Sequence, residues 1–457
     1  MFQPFSKLYS EIVKIVNRGH ERSVRAKKNI IASFIIKGVS VLIGFYLVPL
    51  TIGYVQKEQY GIWLTLSSVV GWFSFFDIGL GHGLRNKLAE AMAKDEWERA
   101  KIYVSSTYAM LGAIFGGVLV LFFSIEPLLN WQKILNTQIV DLDELRLIVI
   151  ATFSFFCINF ILRLIDSILY AYQKPAYTGF VSLLINIVTL IIIIFLTKTT
   201  QGSLFYLALT LGISPMIILL IFSIYLFNNT FKSIAPSISH IRLQYFKDLV
   251  GLGSRFFIVN ISVIIIFATD NMIITQLFGP GEVPAYAIAH KYFGLITVGF
   301  SFILVPMWSA YTEAYVKNDI SWVLTVNKKL IKTWQILVVV GLLMFAISPV
   351  FFRFWVPQVK VPLLLSGIMC FYVLALAWGN IFVNFINGVG KIQLQLIIGI
   401  IGTVINIPLS YFFGITLGLG SAGVIGASII CIAYGPVFAP IQFKKIINGT
   451  ASGIWNR

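Results

Sequence analysis

Charged side chains make up only 11% of this 457-residue sequence, whereas 58% of its residues are hydrophobic and its mean hydropathy is +0.89. So little charge cannot cover the surface of a soluble fold of this size. Long polar stretches are scarce as well. The gaps between apolar runs reach only about 20 residues, too few for an extramembrane catalytic domain of ordinary size. The three cysteines, Cys157, Cys370 and Cys431, all fall in apolar runs, and His20, His82, His240 and His290 are scattered singly. Neither pattern provides a metal, haem or redox centre. The sequence also lacks a Walker motif, a nucleophile elbow and a metal-ligand cluster, so no catalytic residue is assigned. Residues 1–29 lack the apolar core and small-residue site of a cleavable signal peptide.

What the chain does have is long, unbroken apolar runs. About 20 apolar residues in a helix cross roughly 30 Å of hydrocarbon, and continuous runs point to helices rather than barrel strands. The expected fold is an all-α integral membrane protein of about twelve spans, over residues 30–53, 60–82, 102–125, 146–171, 176–197, 203–227, 250–278, 284–309, 330–350, 362–387, 393–417 and 421–443. Of the 34 basic residues, 25 fall in or at the edges of the terminal segments and the loops after even-numbered spans, and only six in or at the edges of the opposite loops. Lysine and arginine collect on the cytoplasmic side, which places both termini in the cytoplasm. The net charge of +16 is spread over short loops, so anionic lipid rather than nucleic acid explains it. Near the start, Leu8, Tyr9, Ile12, Val13 and Val16 recur at helical spacing beside Lys7, Lys14 and Arg18. That pattern suits a helix on the inner leaflet or, equally, a basic tail.

Six spans precede and six follow the basic connection that contains Pro236. The layout therefore reads as a cytoplasmic segment 1–29, a bundle 30–227, a linker 228–249, a second bundle 250–443 and a tail 444–457. Sliding one half over the other by 223 residues sets the stretch from Leu88 to Lys94 on Tyr311 to Lys317, with Glu90 on Glu313. A shift of 220 sets Ile185, Asn186 and Ile187 on Ile405, Asn406 and Ile407. Each match occupies the same span order in its half, which marks a parallel repeat.

The stretch Phe75-Phe76-Asp77-Ile78-Gly79-Leu80-Gly81-His82-Gly83-Leu84-Arg85-Asn86-Lys87-Leu88-Ala89-Glu90, with Tyr60-Gly61 opening the same span, resembles the second-span signature of bacterial polysaccharide flippases. The resemblance extends over the chain through its six-plus-six layout. It points to the O-antigen flippase group of the multidrug, oligosaccharidyl-lipid and polysaccharide (MOP) exporter superfamily. It implies two bundles around a central cavity, lined mainly by spans 1, 2, 7 and 8, that opens alternately to cytoplasm and periplasm. The implied location is the bacterial inner membrane, and the implied cargo is an oligosaccharide repeat unit on undecaprenyl pyrophosphate. Membrane lipids and other polysaccharide-assembly proteins would be its neighbours.

Ionisable side chains inside spans are costly and therefore candidates for function. Lys37, Arg163 and Lys291 are the cations, with Arg255 near the start of the seventh span; Asp77, Asp166 and Asp270 are the acids. Fixed cations would stabilise a pyrophosphate in a low-dielectric cavity, and Lys37 and Lys291 lie on spans that the resemblance puts in its wall. The acids are candidates for coupling to a proton or to sodium, Asp270 with Asn271 foremost. The opposing reading is structural: Lys37 with Asp77, Arg163 with Asp166 and Lys291 with Asp270 lie at similar depths and would pair. Asn380, Asn384 and Asn387 form one stripe on span 10 that would contact sugar or bond neighbouring helices. Trp63, Trp72, Trp308 and Tyr311 would stack on sugar rings or anchor the interfaces. Pro49, Pro306 and Pro408 are hinge candidates, and Gly399 and Gly402 read as close-packing positions.

Two rivals remain. A cation-coupled drug exporter would share the layout but should have an acid-dominated cavity, whereas the intraspan charges here balance. A membrane polysaccharide polymerase or ligase should carry a long periplasmic loop, and the loops here are short.

Overall fold

A computed structural model of the chain describes residues 21–74, 79–172, 174–245 and 269–456. Among these residues the structure is helical and contains no strand. In hydrocarbon a backbone must satisfy its own polar groups, so long apolar runs become helices. The fourteen used below are α1 (Glu21–Trp72), α2 (Leu80–Ala93), α3 (Trp97–Ile125), α4 (Leu142–Leu162), α5 (Leu164–Ala171), α6 (Pro175–Thr199), α7 (Leu204–Asn228), α8 (Val283–Phe293), α9 (Leu295–Val316), α10 (Ile320–Trp355), α11 (Leu363–Val389), α12 (Gln393–Tyr411), α13 (Ser421–Cys431) and α14 (Ala439–Ile447). Residues 269–278 are also helical.

Among the described residues, nine helices are long and apolar enough to cross a bilayer, and α13 with the stretch Tyr434–Ile447 makes a tenth that bends by 42°. The chain is a multi-pass membrane protein. The expected break between spans 1 and 2 lies inside α1, where Gln56 takes φ 68° and ψ 168°. Most of the expected seventh span falls outside the described residues. Polar caps mark several starts: Ser203 Oγ accepts from the Tyr206 amide at 3.3 Å, and Asp319 Oδ1 accepts from that of Trp322 at 3.0 Å.

The chain divides into two compact units. One holds residues 1–54, 79–122 and 151–253, the other 55–78, 123–150 and 254–457. In the first, α2 packs on α5 through Leu80, Leu84 and Leu88, each fully buried at helical spacing, and α6 packs on α7. Gly79, at φ 77°, precedes α2 in a left-handed conformation that glycine adopts without strain. In the second unit α11 is the central helix, packed against α8, α9, α10, α13 and α14. Its buried face contributes Ala377, Ile381, Phe382, Phe385 and Ile386 to a core shared with Tyr311, Leu330 and Phe443. There α12 lies against α13 so closely that a Cβ on Gly402 would sit 2.5 Å from the Cys431 carbonyl oxygen. Tyr311 is fully buried, edge-on to Phe385 at 5.5 Å, so it belongs to this core and not to a sugar-stacking surface.

Candidate functional site

Within the second unit, Asp270 is 1% exposed in the middle of apolar helices. Tyr286 Oη donates to its Oδ2 at 2.6 Å, and Ser428 Oγ lies 3.1 Å from both carboxylate oxygens. Asn406 Nδ2 donates in turn to Ser428 Oγ at 3.2 Å, while Asn406 Oδ1 is buried without a hydrogen-bond partner. Two elements from well-separated parts of the chain, α8 and α13, thus bring hydroxyls to one carboxylate, and α12 places an amide behind one of them. One residue on, Asn271 Nδ2 donates to Ser68 Oγ at 2.7 Å, and its Oδ1 is likewise buried without a partner. The cluster offers oxygens and a buried acid, the donor set a proton or small cation requires.

The pairing expected between Asp270 and Lys291 is not formed: Asp270 bonds to the two hydroxyls instead. Lys291 lies on the last turn of α8, half-buried, five residues beyond Tyr286. Five residues turn a helix by about 140° relative to its starting direction, so Tyr286 and Lys291 cannot face one carboxylate together.

In the first unit, Lys37 is exposed on α1, on the side of the helix away from the apolar face formed by Ile35, Val39, Leu42 and Tyr46. Ser40, three residues on and so on the same side of α1 as Lys37, accepts through Oγ from Asn186 Nδ2 at 2.8 Å. Arg163 stands at the break between α4 and α5, with Nη1 3.9 Å from Asp166 Oδ2 and its side chain half-exposed. Asp77 and Arg255 lie outside the described residues.

The asparagine stripe of α11 is half-buried. Asn384 Nδ2 donates to the Asn380 carbonyl at 2.7 Å within the helix, and Asn387 Oδ1 is buried without a partner. At the C-terminal end of α9, Trp308, Thr312, Glu313, Val316 and Lys317 line an open cleft of about 490 Å³.

The family model described as "Polysaccharide biosynthesis protein" matches residues 26–312, more than half of the sequence. The chain belongs to this family. A putative O-antigen export protein of Yersinia pseudotuberculosis is 22% identical over 90% of this chain and 94% of its own length. A putative O-antigen transporter of Salmonella typhimurium is 23% identical over 88% of this chain and 91% of its own. Among solved structures, an inward-facing multidrug resistance MATE family transporter of the MOP superfamily aligns with a TM-score of 0.72. It is 13% identical and covers 92% of this chain and 96% of its own, a likeness of fold. By family the chain is a polysaccharide biosynthesis protein, and its fold is like that of the MATE family transporter of the MOP superfamily.

Sequence reasoning singled out Asp270 and Asn271 but not Tyr286, Ser428 or Ser68, because a hydroxyl in an apolar span is unremarkable by itself. Asn406 did carry a signal, as the polar centre of the repeated Ile-Asn-Ile triplet.

Proposed function

We propose that this protein is a flippase that carries an oligosaccharide repeat unit on undecaprenyl pyrophosphate from the cytoplasmic to the periplasmic leaflet of the inner membrane, by alternating access. The observation that carries this reading is the likeness, over about nine-tenths of the chain, to relatives named for O-antigen export. A pyrophosphate cannot enter low dielectric without compensation, and cations on spans supply it. Lys37, Lys291, Arg163 and Arg255 are the groups proposed for that task. Asp270, held by Tyr286 and by Ser428, which in turn accepts from Asn406, is the proposed coupling group. Asp77 and Asp166 stand as its alternatives, and Asn380, Asn384 and Asn387 as the sugar contacts.

The test is translocation of a fluorescent undecaprenyl-pyrophosphate oligosaccharide in proteoliposomes, comparing the parent with Lys37→Ala and Lys291→Ala at matched, monodisperse reconstitution. The parent should move the lipid, and each substitution should slow it by about tenfold or more, the loss of one charge-assisted contact. A parent that leaves this lipid in place but extrudes cationic dyes along a sodium or proton gradient is a drug exporter, and the flippase reading fails.

A further inference from the structure

The second arm of α1 presents an unusual stripe to the helical stretch 269–278 and the turn that follows it, all within one compact unit. Lys57, Gly61, Thr65 and Ser68 recur at i, i+4, i+8 and i+11, one face of a helix. Each meets a partner. Lys57 Nζ is 3.5 Å from Glu282 Oε1 at the outer edge. A Cβ on Gly61 would lie 1.8 Å from the Pro280 carbonyl oxygen, so backbone touches backbone there. Thr65 and Thr275, both fully buried, bring their hydroxyls to 2.5 Å, and Asn271 Nδ2 reaches Ser68 Oγ at 2.7 Å.

A second contact secures the same helix end. Asn136, in the connection between α3 and α4, donates through Nδ2 to the Thr275 carbonyl at 2.9 Å and the Gln276 carbonyl at 3.4 Å. Gln276 Nε2 donates back to the Ile134 carbonyl at 2.6 Å and the Lys133 carbonyl at 3.3 Å. These are last-turn carbonyls of the stretch 269–278 and of the helical turn Trp131–Ile134, of which those of Thr275 and Lys133 also accept backbone amides, from Gly279 and Asn136. Two side-chain amides thus cap each other's helices. The connection is braced behind them: Glu126, 6% exposed, accepts from Trp131 Nε1 at 3.2 Å and lies 3.5 Å from Arg146 Nε.

Helix interfaces in a membrane are built from close-packed apolar and small residues, with Ser, Thr, Asn and Gln side chains hydrogen-bonding across them. This seam has an ion pair at its rim and hydroxyls and amides inside, groups that exchange protein partners for water at small net cost. We propose that the stripe Lys57–Gly61–Thr65–Ser68 closes one mouth of the transport pathway against residues 271–282, that the Asn136–Gln276 exchange latches it, and that the seam parts when the pathway opens on that side. The proposal rests on the alternating-access reading above, and it assigns the gate residues.

The experiment uses the full chain with Cys157→Ala, Cys370→Ala and Cys431→Ala as background. Thr65→Cys with Thr275→Cys should form a disulfide on mild oxidation. Transport should then fall to the level of empty vesicles, and reduction of the same vesicles should restore it, which separates locking from misfolding. In a cargo-free arm, Ser68→Cys is labelled with a membrane-impermeant maleimide. Adding Asn136→Ala or Gln276→Ala should speed labelling about threefold to tenfold, the population shift expected from losing one such hydrogen bond. A cross-linked protein that transports at the parent rate, or labelling indifferent to Asn136 and Gln276, overturns the gate. A parent that labels as expected yet moves no lipid-linked oligosaccharide upholds the gate and overturns the cargo reading alone.

Discussion

A carboxylate that is 1% exposed in an apolar helix bundle depends on its hydrogen-bond donors, and for Asp270 these are the hydroxyls of Tyr286 and Ser428. Removing one leaves the acid under-solvated, a loss of about 1–3 kcal/mol. Ser428→Ala should therefore lower the thermal midpoint in detergent, as followed by intrinsic fluorescence, whereas Ser428→Thr keeps the hydroxyl and should lower it less. Equal destabilisation by both would show that packing rather than the hydrogen bond is at stake. Asp270 itself was legible in the sequence because a charge inside an apolar run is rare and costly. Its partners were not, since depth along a span can be read from a sequence whereas the direction around the helix axis depends on packing. The same distinction explains Lys291, which matches Asp270 in depth and faces elsewhere. At the α2 surface, by contrast, neighbours in sequence are neighbours in space. The hydrogen bonds from Lys94 and Lys87 hold the Glu90 carboxyl down to about 2. Its lowered pKa means the interaction is complete above the ordinary carboxylate range and is lost only as pH falls towards 2.

At the scale of elements, the repeat proposed from two short matches has a physical content in each half. Glu90 and Lys94 form an i, i+4 ion pair on α2, and Glu313 and Lys317 form the matching one on α9. Half-buried Asn186 donates to Ser40 and buried Asn406 to Ser428, so each copy of the triplet gives its amide to a serine of another helix. The spans, and the break between the first two at Gln56, were legible because a 20-residue apolar run has few alternatives in a membrane, whereas the break at Arg163 was not, because neither glycine nor proline marks it. Gly402 shows what sequence and structure supply together. Gly402→Ala would drive a Cβ into the Cys431 carbonyl oxygen, separating α12 from α13, at about 1–3 kcal/mol. Gly116→Ala, on α3 with open space around its Cβ position, should be neutral or gain about 0.5–1 kcal/mol from helix propensity. Thermal unfolding of the two variants side by side tests the close approach, and equal behaviour would refute it.

For the whole molecule, the direction of transport depends on orientation, and orientation rests on where the basic residues lie. The loops that carry Lys94 and Lys317 belong to the basic side, and the connection that carries Lys133 to the poor side. The gate inferred above is built from the poor side, around Lys57, residues 133–136 and Glu282. The two arguments are therefore linked: if lysine and arginine retain their loops in the cytoplasm, the latched mouth is the periplasmic one, and a cargo leaving through it must part the Thr65–Thr275 seam. Lys94→Cys and Lys133→Cys, each alone in the cysteine-free background, separate the possibilities in intact cells with a permeabilised outer membrane. An impermeant maleimide should label position 133 readily and position 94 only after the inner membrane is opened. The reverse pattern would place the basic loops outside and make the latched mouth the cytoplasmic one. The gate could then still open and close, but export would demand its release at the entry of cargo instead of at its exit.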